Sequence, residues 1–109
     1  MNVNELSGAD LDWEVARREG FTDYDPTTET MLPPRKEYGR VLLCDNDFST
    51  NWELGGSIIE REGISIYLDT NNLWQANIFD GNPAVFGTGV EGSTPLIAAM
   101  RCYVALCSK

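Results

Sequence analysis

Apolar and polar residues alternate with a period of two in one clear place. Ile64, Ile66 and Leu68 are separated by Ser65 and Tyr67, and Trp74, Ala76 and Ile78 by Gln75 and Asn77. Thr70-Asn71-Asn72 lies between the two runs, and the whole predicts a β-hairpin. The strongest helical signal follows near the end of the chain. Thr94 suits an N-cap and Pro95 the first helical position, where its missing N–H costs nothing. From Leu96 to Cys107 eleven of twelve residues are apolar, with Arg101 the exception. A helix apolar nearly all round is a central, buried one.

A first helix is predicted from about Gly8 to Glu19. Ser7 is its cap candidate, Asp10 completes a weak capping box, and Leu6 and Leu11 form a hydrophobic staple. Gly20 is the stop. Leu11 and Val15 share one face and Ala9, Trp13 and Ala16 a neighbouring one, a broad arc that predicts partial burial. Residues 21–39 read as a flexible loop, dense in Thr, Asp and Glu and interrupted by Pro26, Pro33 and Pro34. Arg40 to Cys44 reads as a short strand broken by Asp45-Asn46-Asp47. Ser57 to Gly63 is too short for its period to separate a helical turn from a strand entry. Ala84 to Phe86 is a candidate third strand. The expected fold is α+β within a single domain spanning residues 1–109. An N-terminal helix is followed by a small antiparallel β-sheet with a central hairpin, and a buried C-terminal helix packs on the sheet.

Charge narrows the functions. The 109 residues carry 8 Lys+Arg against 17 Asp+Glu, a formal net charge of -9, and no His. Nucleic-acid affinity comes from cations that displace counterions from phosphates, so direct nucleic-acid binding is not expected. The absence of His removes Ser-His and Cys-His catalysis and His-ligated zinc. General acid–base or nucleophilic chemistry would fall to carboxylates, Tyr or Cys alone, so no catalytic residue is assigned and an enzyme is not expected. No cofactor is called for. The apolar content of 42% suffices for one core, which argues against disorder of the whole chain. The opening residues lack a basic region and an apolar run, and the last helix is too short to span a bilayer, which leads to the expectation of a cytoplasmic protein without a membrane contact. The three cysteines, Cys44, Cys102 and Cys107, are an odd number. Cys102 and Cys107 would point about 140° apart on one helix, so free thiols are expected.

Each motif has a plainer alternative. Gly87-Thr88-Gly89-Val90-Glu91-Gly92 matches G-x-G-x-x-G, but a dinucleotide fold needs a further strand and an acidic residue about 20 positions on, for which no chain remains. Asp23-Tyr24-Asp25 and Asp45-Asn46-Asp47 resemble the start of a calcium loop without its glycine and distant bidentate Glu, so no metal site is assigned. Arg101 needs a partner or a route to water, and Glu60 and Glu62 are candidates.

The acidic field belongs to the first half: residues 1–53 hold 12 acidic and 5 basic residues. Such a field steers onto a basic surface. It makes Asp10, Glu14, Asp23 and Asp25 candidates for binding a partner protein, against a plain solubilising role. Trp52, Gly55, Gly56, Glu60, Arg61, Glu62 and Arg101 combine an aromatic, bare backbone and fixed charges, the makings of a small-ligand or nucleotide-signal site. The alternative is that Trp52 is core and Gly55-Gly56 a turn. An exposed hairpin edge and a small core leave a homodimer open.

Three stretches resemble one known family. They are Glu5 to Ala16 (ELSGADLDWEVA), Ser49 to Ile64 (STNWELGGSIIEREGI) and Ser93 to Ala105 (STPLIAAMRCYVA). All are similar to the phage NinX family, and the likeness is weakest from Phe21 to Asp47 and from Asp80 to Gly92. Ser57 stands where that family often has Pro, which fits a helical first turn at Ile58 to Glu62. Gly87 and Gly89 lie outside the family pattern. The resemblance implies a protein of phages and prophages of enteric bacteria, acting in the host cytoplasm, and it carries over no catalytic residue. The leading expectation is a non-enzymatic accessory protein that modulates a host protein in host takeover or anti-defence. A module that sequesters a small ligand is the alternative.

Overall fold

The structure is a computed structural model that describes residues 3–35, 39–78 and 90–107. Three helices and two three-stranded antiparallel sheets make an α+β fold. The central element is the last helix, α3, Pro95–Cys107. Thr94 caps it by accepting a hydrogen bond from the Ile97 N–H at 3.1 Å, and Ala98, Ala99, Met100 and Val104 are fully buried. The predicted hairpin is present as β4 (Ile64–Leu68) and β5 (Trp74–Ile78), paired from Ile64↔Ile78 to Leu68↔Trp74. The third strand of this sheet is β6, Val90–Gly92, on the far side of β5. The glycine-rich stretch therefore contributes a strand. The candidate strand at Ala84 to Phe86 and the glycines Gly87 and Gly89 lie outside the described residues. Ile64 and Ala76 bury into the core with α3. On the other side of β5, Gln75 donates to Asp69 at 2.7 Å, while the buried Asn77 carboxamide has no hydrogen-bond partner among the described residues.

Helix α1, Gly8–Arg18, lies beside α3 and buries Leu11, Asp12, Val15 and Ala16. Ser7 is extended, as a cap should be, but its side chain makes no capping hydrogen bond. The chain enters the helix through Gly8 at φ +53°, a left-handed conformation favoured by glycine. Leu6 packs, partly buried, against the core cluster to which the fully buried Leu11 belongs.

Residues 21–39 are not a structureless loop. They hold β1, Thr22–Asp25, and β2, Thr30–Leu32, which pairs in turn with β3, Val41–Leu42. Two contacts fasten this sheet. Trp13 of α1 stacks on Tyr24 with ring centroids 5.0 Å apart. Arg40 donates to the Thr30 hydroxyl and carbonyl at 2.8 and 3.1 Å, and to the carbonyl of Asp23. The predicted strand at Arg40 to Cys44 is shorter than expected, because Leu43–Asp45 turns into a 3-10 helix.

The stretch left open between helix and strand is a full helix, α2, Trp52–Glu62. Asn51 caps it, accepting from the Glu53 N–H at 2.9 Å, and Gly63 ends it at φ +68°. Gly55 and Gly56 are thus helical and not a turn. A methyl group at Gly55 would lie 2.5 Å from Leu96 Cδ1 and 2.6 Å from the Phe48 carbonyl, so glycine lets α2 meet α3 closely. A methyl at Gly56 would meet only the Trp52 ring, at 3.9 Å. Gly56→Ala is therefore expected to stabilise the protein by about 0.5–1 kcal/mol, from the lost flexibility of glycine in a helix. Gly55→Ala is expected to destabilise it. Urea midpoints of the two variants would move in opposite directions, and parallel shifts would contradict the packing described here.

Candidate functional site

An acidic cleft opens where α1 begins. Asp12 sits on the buried face of α1, 7% exposed, and accepts a hydrogen bond from the Ser49 N–H at 2.8 Å. Asp47 belongs to the turn before α2, where it accepts from the Thr50 hydroxyl at 3.3 Å and the Asn51 side chain at 3.4 Å. Glu29 arrives from the β1–β2 turn, with φ +54°. Together with Gly8, Ala9, Leu43, Cys44, Ser49 and Thr50 these residues line a cleft of about 340 Å³, and among the described residues no basic one lines it. Burial pushes the Asp12 carboxyl above its usual range, and the negative charge of Asp47 adds to this, against hydrogen bonds from Ser49. Such a lining suits an ammonium or guanidinium group that supplies the missing positive charge. Among the described residues no group of three or more His, Cys, Asp and Glu is placed to hold a metal ion.

Of the acidic residues singled out in the sequence, Asp10 and Asp23 are exposed on α1 and β1, and neither enters an ion pair among the described residues. Glu14 is engaged within α1, 2.8 Å from Arg18 and 3.6 Å from Arg17. Asp25 organises the next turn by accepting from the Thr27 N–H at 2.9 Å. That bond, with smaller help from Arg40, holds its carboxyl below the usual range. The Trp13–Tyr24 stack joins α1 to β1, the two elements that carry these four residues.

The residues grouped as a ligand site are not brought into one place. Trp52 is 55% exposed and is not core. It borders a smaller cleft of about 180 Å³ with Ser49, Thr50, Thr94, Leu96 and Ile97, at the starts of α2 and α3. Gly55 is buried under Leu96, Gly56 is half-buried and Glu60 is exposed. Arg61 turns to α1, with both terminal nitrogens on Glu19 at 2.9 and 2.6 Å and its Nε on Glu62 at 2.9 Å. It also lies 5.7 Å from the Tyr103 ring centroid, and the Tyr103 hydroxyl donates to Glu19. Arg101 does not meet Glu60 or Glu62. Its Nε donates to the Leu6 carbonyl at 2.7 Å and a terminal nitrogen to the Glu91 carbonyl at 2.8 Å. Burial lowers its pKa, opposed by the Glu91 charge. Arg101 is thus a tie between α3, the N-terminal segment and β6. Cys102 is buried and free, with its thiol pushed up to about 11 by burial, and Cys44 is exposed and free. The Cys107 side chain lies outside the described residues.

Two carboxylates give the protein opposed pH responses. Asp12, raised in the folded state, favours folding while protonated, and this contribution is lost as pH rises through its native pKa. Glu19 is held low, chiefly by its hydrogen bonds from Arg61, and partial burial opposes them. Its contribution is present above the usual carboxylate range and is lost as pH falls through the lowered value. Asp12→Asn keeps an acceptor for Ser49 and is expected to be more stable than the parent at neutral pH, with the gain shrinking in acid. Glu19→Gln is expected to lose stability at neutral pH, with the loss shrinking in acid. Denaturant midpoints followed across the acid range check both, and a pH-independent offset for Asp12→Asn would refute the raised carboxyl.

Asp12, Glu29 and Asp47 were not candidates in the sequence. One signal pointed to them: Asp12 falls among Leu11, Val15 and Ala16 on the apolar arc of α1, an unusual place for a carboxylate.

The fold defines a small acidic α+β protein, and three acidic residues, Asp12, Glu29 and Asp47, are among those that line one of its clefts. A family model described as "Bacteriophage P22, NinX" matches residues 2–106, and the chain belongs to that family. It is a phage accessory protein. No curated protein matches the sequence. Among the described residues no helix is long and apolar enough to cross a membrane.

Proposed function

We propose that the chain is a non-enzymatic interaction protein that modulates a host protein in the bacterial cytoplasm by binding a basic surface on it. The observation that supports this reading is the cleft formed by Asp12, Glu29 and Asp47, which has room for a lysine or arginine side chain and lacks a positive charge of its own. Asp10, two residues before Asp12, adds an exposed charge on α1. A partner's cation entering the cleft would meet carboxylates already held by Ser49, Thr50 and Asn51. Held groups lose little freedom on binding. The lack of His in the chain supports a binding role over a catalytic one.

Tagged protein incubated with enteric bacterial lysate at low salt is expected to capture a host protein in fixed ratio, and the yield should fall as salt rises. Charge reversal at Asp10 and Asp23, or at Glu29 and Asp47, is expected to abolish capture while the circular dichroism spectrum stays unchanged. Capture that survives both double reversals would overturn the reading. The cleft beside Trp52 favours a second reading, a site for a small planar ligand stacked on the indole. In native mass spectrometry that reading requires a small added mass which Trp52→Ala removes.

A further inference from the structure

We propose that two copies of this chain associate through the free edge of β4 and join their hairpin sheets into one six-stranded antiparallel sheet. The strand order β4-β5-β6 leaves β4 at an edge. The Asp69 N–H donates to the Leu73 carbonyl at 2.9 Å, which makes Asp69 and Leu73 a hydrogen-bonded pair of the hairpin. Antiparallel pairs alternate between bonded and non-bonded. Tyr67↔Gln75 and Ser65↔Asn77 are therefore bonded pairs as well. The N–H and C=O groups of Ile64, Ile66 and Leu68 then point away from β5, where no strand lies beside them among the described residues. The strand itself carries no residue that usually protects an edge from pairing: β4 contains no Lys, no Pro and no charge. Of the four exposed large apolar residues among those described, Leu42, Trp52, Tyr67 and Leu68, two lie in this strand.

A second copy fits this edge through register and charge. A two-fold axis at Ile66 sets Ile66 opposite Ile66 and Ile64 opposite Leu68, so every outward group of the strand meets one from the other copy. The exposed Leu68 gains the other copy's Ile64 as its neighbour, and Tyr67 gains Ser65. A chain of net charge -9 repels its own copy, so self-association needs a contact free of opposed carboxylates. In this register the nearest carboxylate in sequence after the strand, Asp69, falls opposite Gly63, and Glu62 opposite Thr70. The edge is thus uncharged along its length and self-complementary about its midpoint.

The test is the mass of the full chain in solution by sedimentation equilibrium. The expected value is twice the chain mass of 12.1 kDa. Added salt should favour the dimer, because it screens like charges, whereas it should weaken capture of a basic host protein. The opposite salt responses keep failure of this proposal distinct from failure of the acidic-cleft reading. Tyr67→Lys with Leu68→Lys is expected to halve the mass, and Leu42→Lys to leave it unchanged. Ser65→Cys with Tyr67→Cys, in a Cys44→Ser background, checks the register without weakening the strand. The two positions face each other as a non-bonded pair about 4.5 Å apart, within disulfide reach. Oxidation should yield a covalent dimer that a reductant reverses. A monomer at all concentrations and salts overturns the proposal. So does a dimer broken by Leu42→Lys, or one that fails to cross-link. An extended segment of another protein on the edge of a monomeric chain would overturn it in favour of strand addition by a partner.

Discussion

Gly92→Ala is expected to cost the fold about 1–3 kcal/mol, the usual penalty of overpacking a core, and to sit at the upper end of that range. A methyl group at Gly92 would stand 2.6 Å from the Ala98 backbone nitrogen and 3.0 Å from its Cα. No rotamer relieves a clash with backbone. Either β6 or α3 must move, and α3 holds Ala98, Ala99, Met100 and Val104, all fully buried. The variant should show a lower urea midpoint with its slope unchanged. A change below about 0.5 kcal/mol, the size of an ordinary surface substitution, would mean that sheet and helix are not in the contact described.

The second large effect is expected at Met31. It is the one fully buried residue of β2, and its strand joins β1 to β3. Met31→Ala should cost about 2–5 kcal/mol by removing buried apolar volume and leaving a cavity. Equilibrium unfolding gives the value, and limited proteolysis should show faster cleavage between Thr22 and Leu42. A loss under about 1 kcal/mol would show that the small sheet is peripheral to the core, as its sequence first suggests.

The reason that sheet stayed hidden is physical. Asp23 takes φ +55° inside β1 and shifts the register between Thr22 and Asp25, which erases the alternation that marks a strand. The two partners span three and two residues, too few for any period. The hairpin of β4 and β5 was legible because five residues alternate on each strand across a turn. Helix α3 was legible because Thr94 and Pro95 announce a run that is apolar almost all round. Helix α2 was not, since Gly55 and Gly56 read as a turn. Only the approach of Leu96 shows why glycine stands within the helix at position 55. The candidate site was legible only in part. Charge statistics located the acidic half and four exposed or partly exposed carboxylates. The cleft is lined by Asp12, Glu29 and Asp47, which lie far apart in the chain and come to it from α1, the β1–β2 turn and the turn before α2. Arg101 was recognised as needing a partner, but backbone carbonyls leave no mark in a sequence, and Leu6 and Glu91 supply them.

The position of α3 also bears on how the chain acquires its fold. Helices α1 and α2 and strands β4 and β5, all before it in the sequence, pack against it, and Arg101 reaches back across 95 residues to the Leu6 carbonyl. Loops of that length must be closed before their contacts repay the entropy. Closing the core is therefore expected to wait for α3, and a chain cut before Pro95 is expected to lack the packing that Ala98, Ala99, Met100 and Val104 complete.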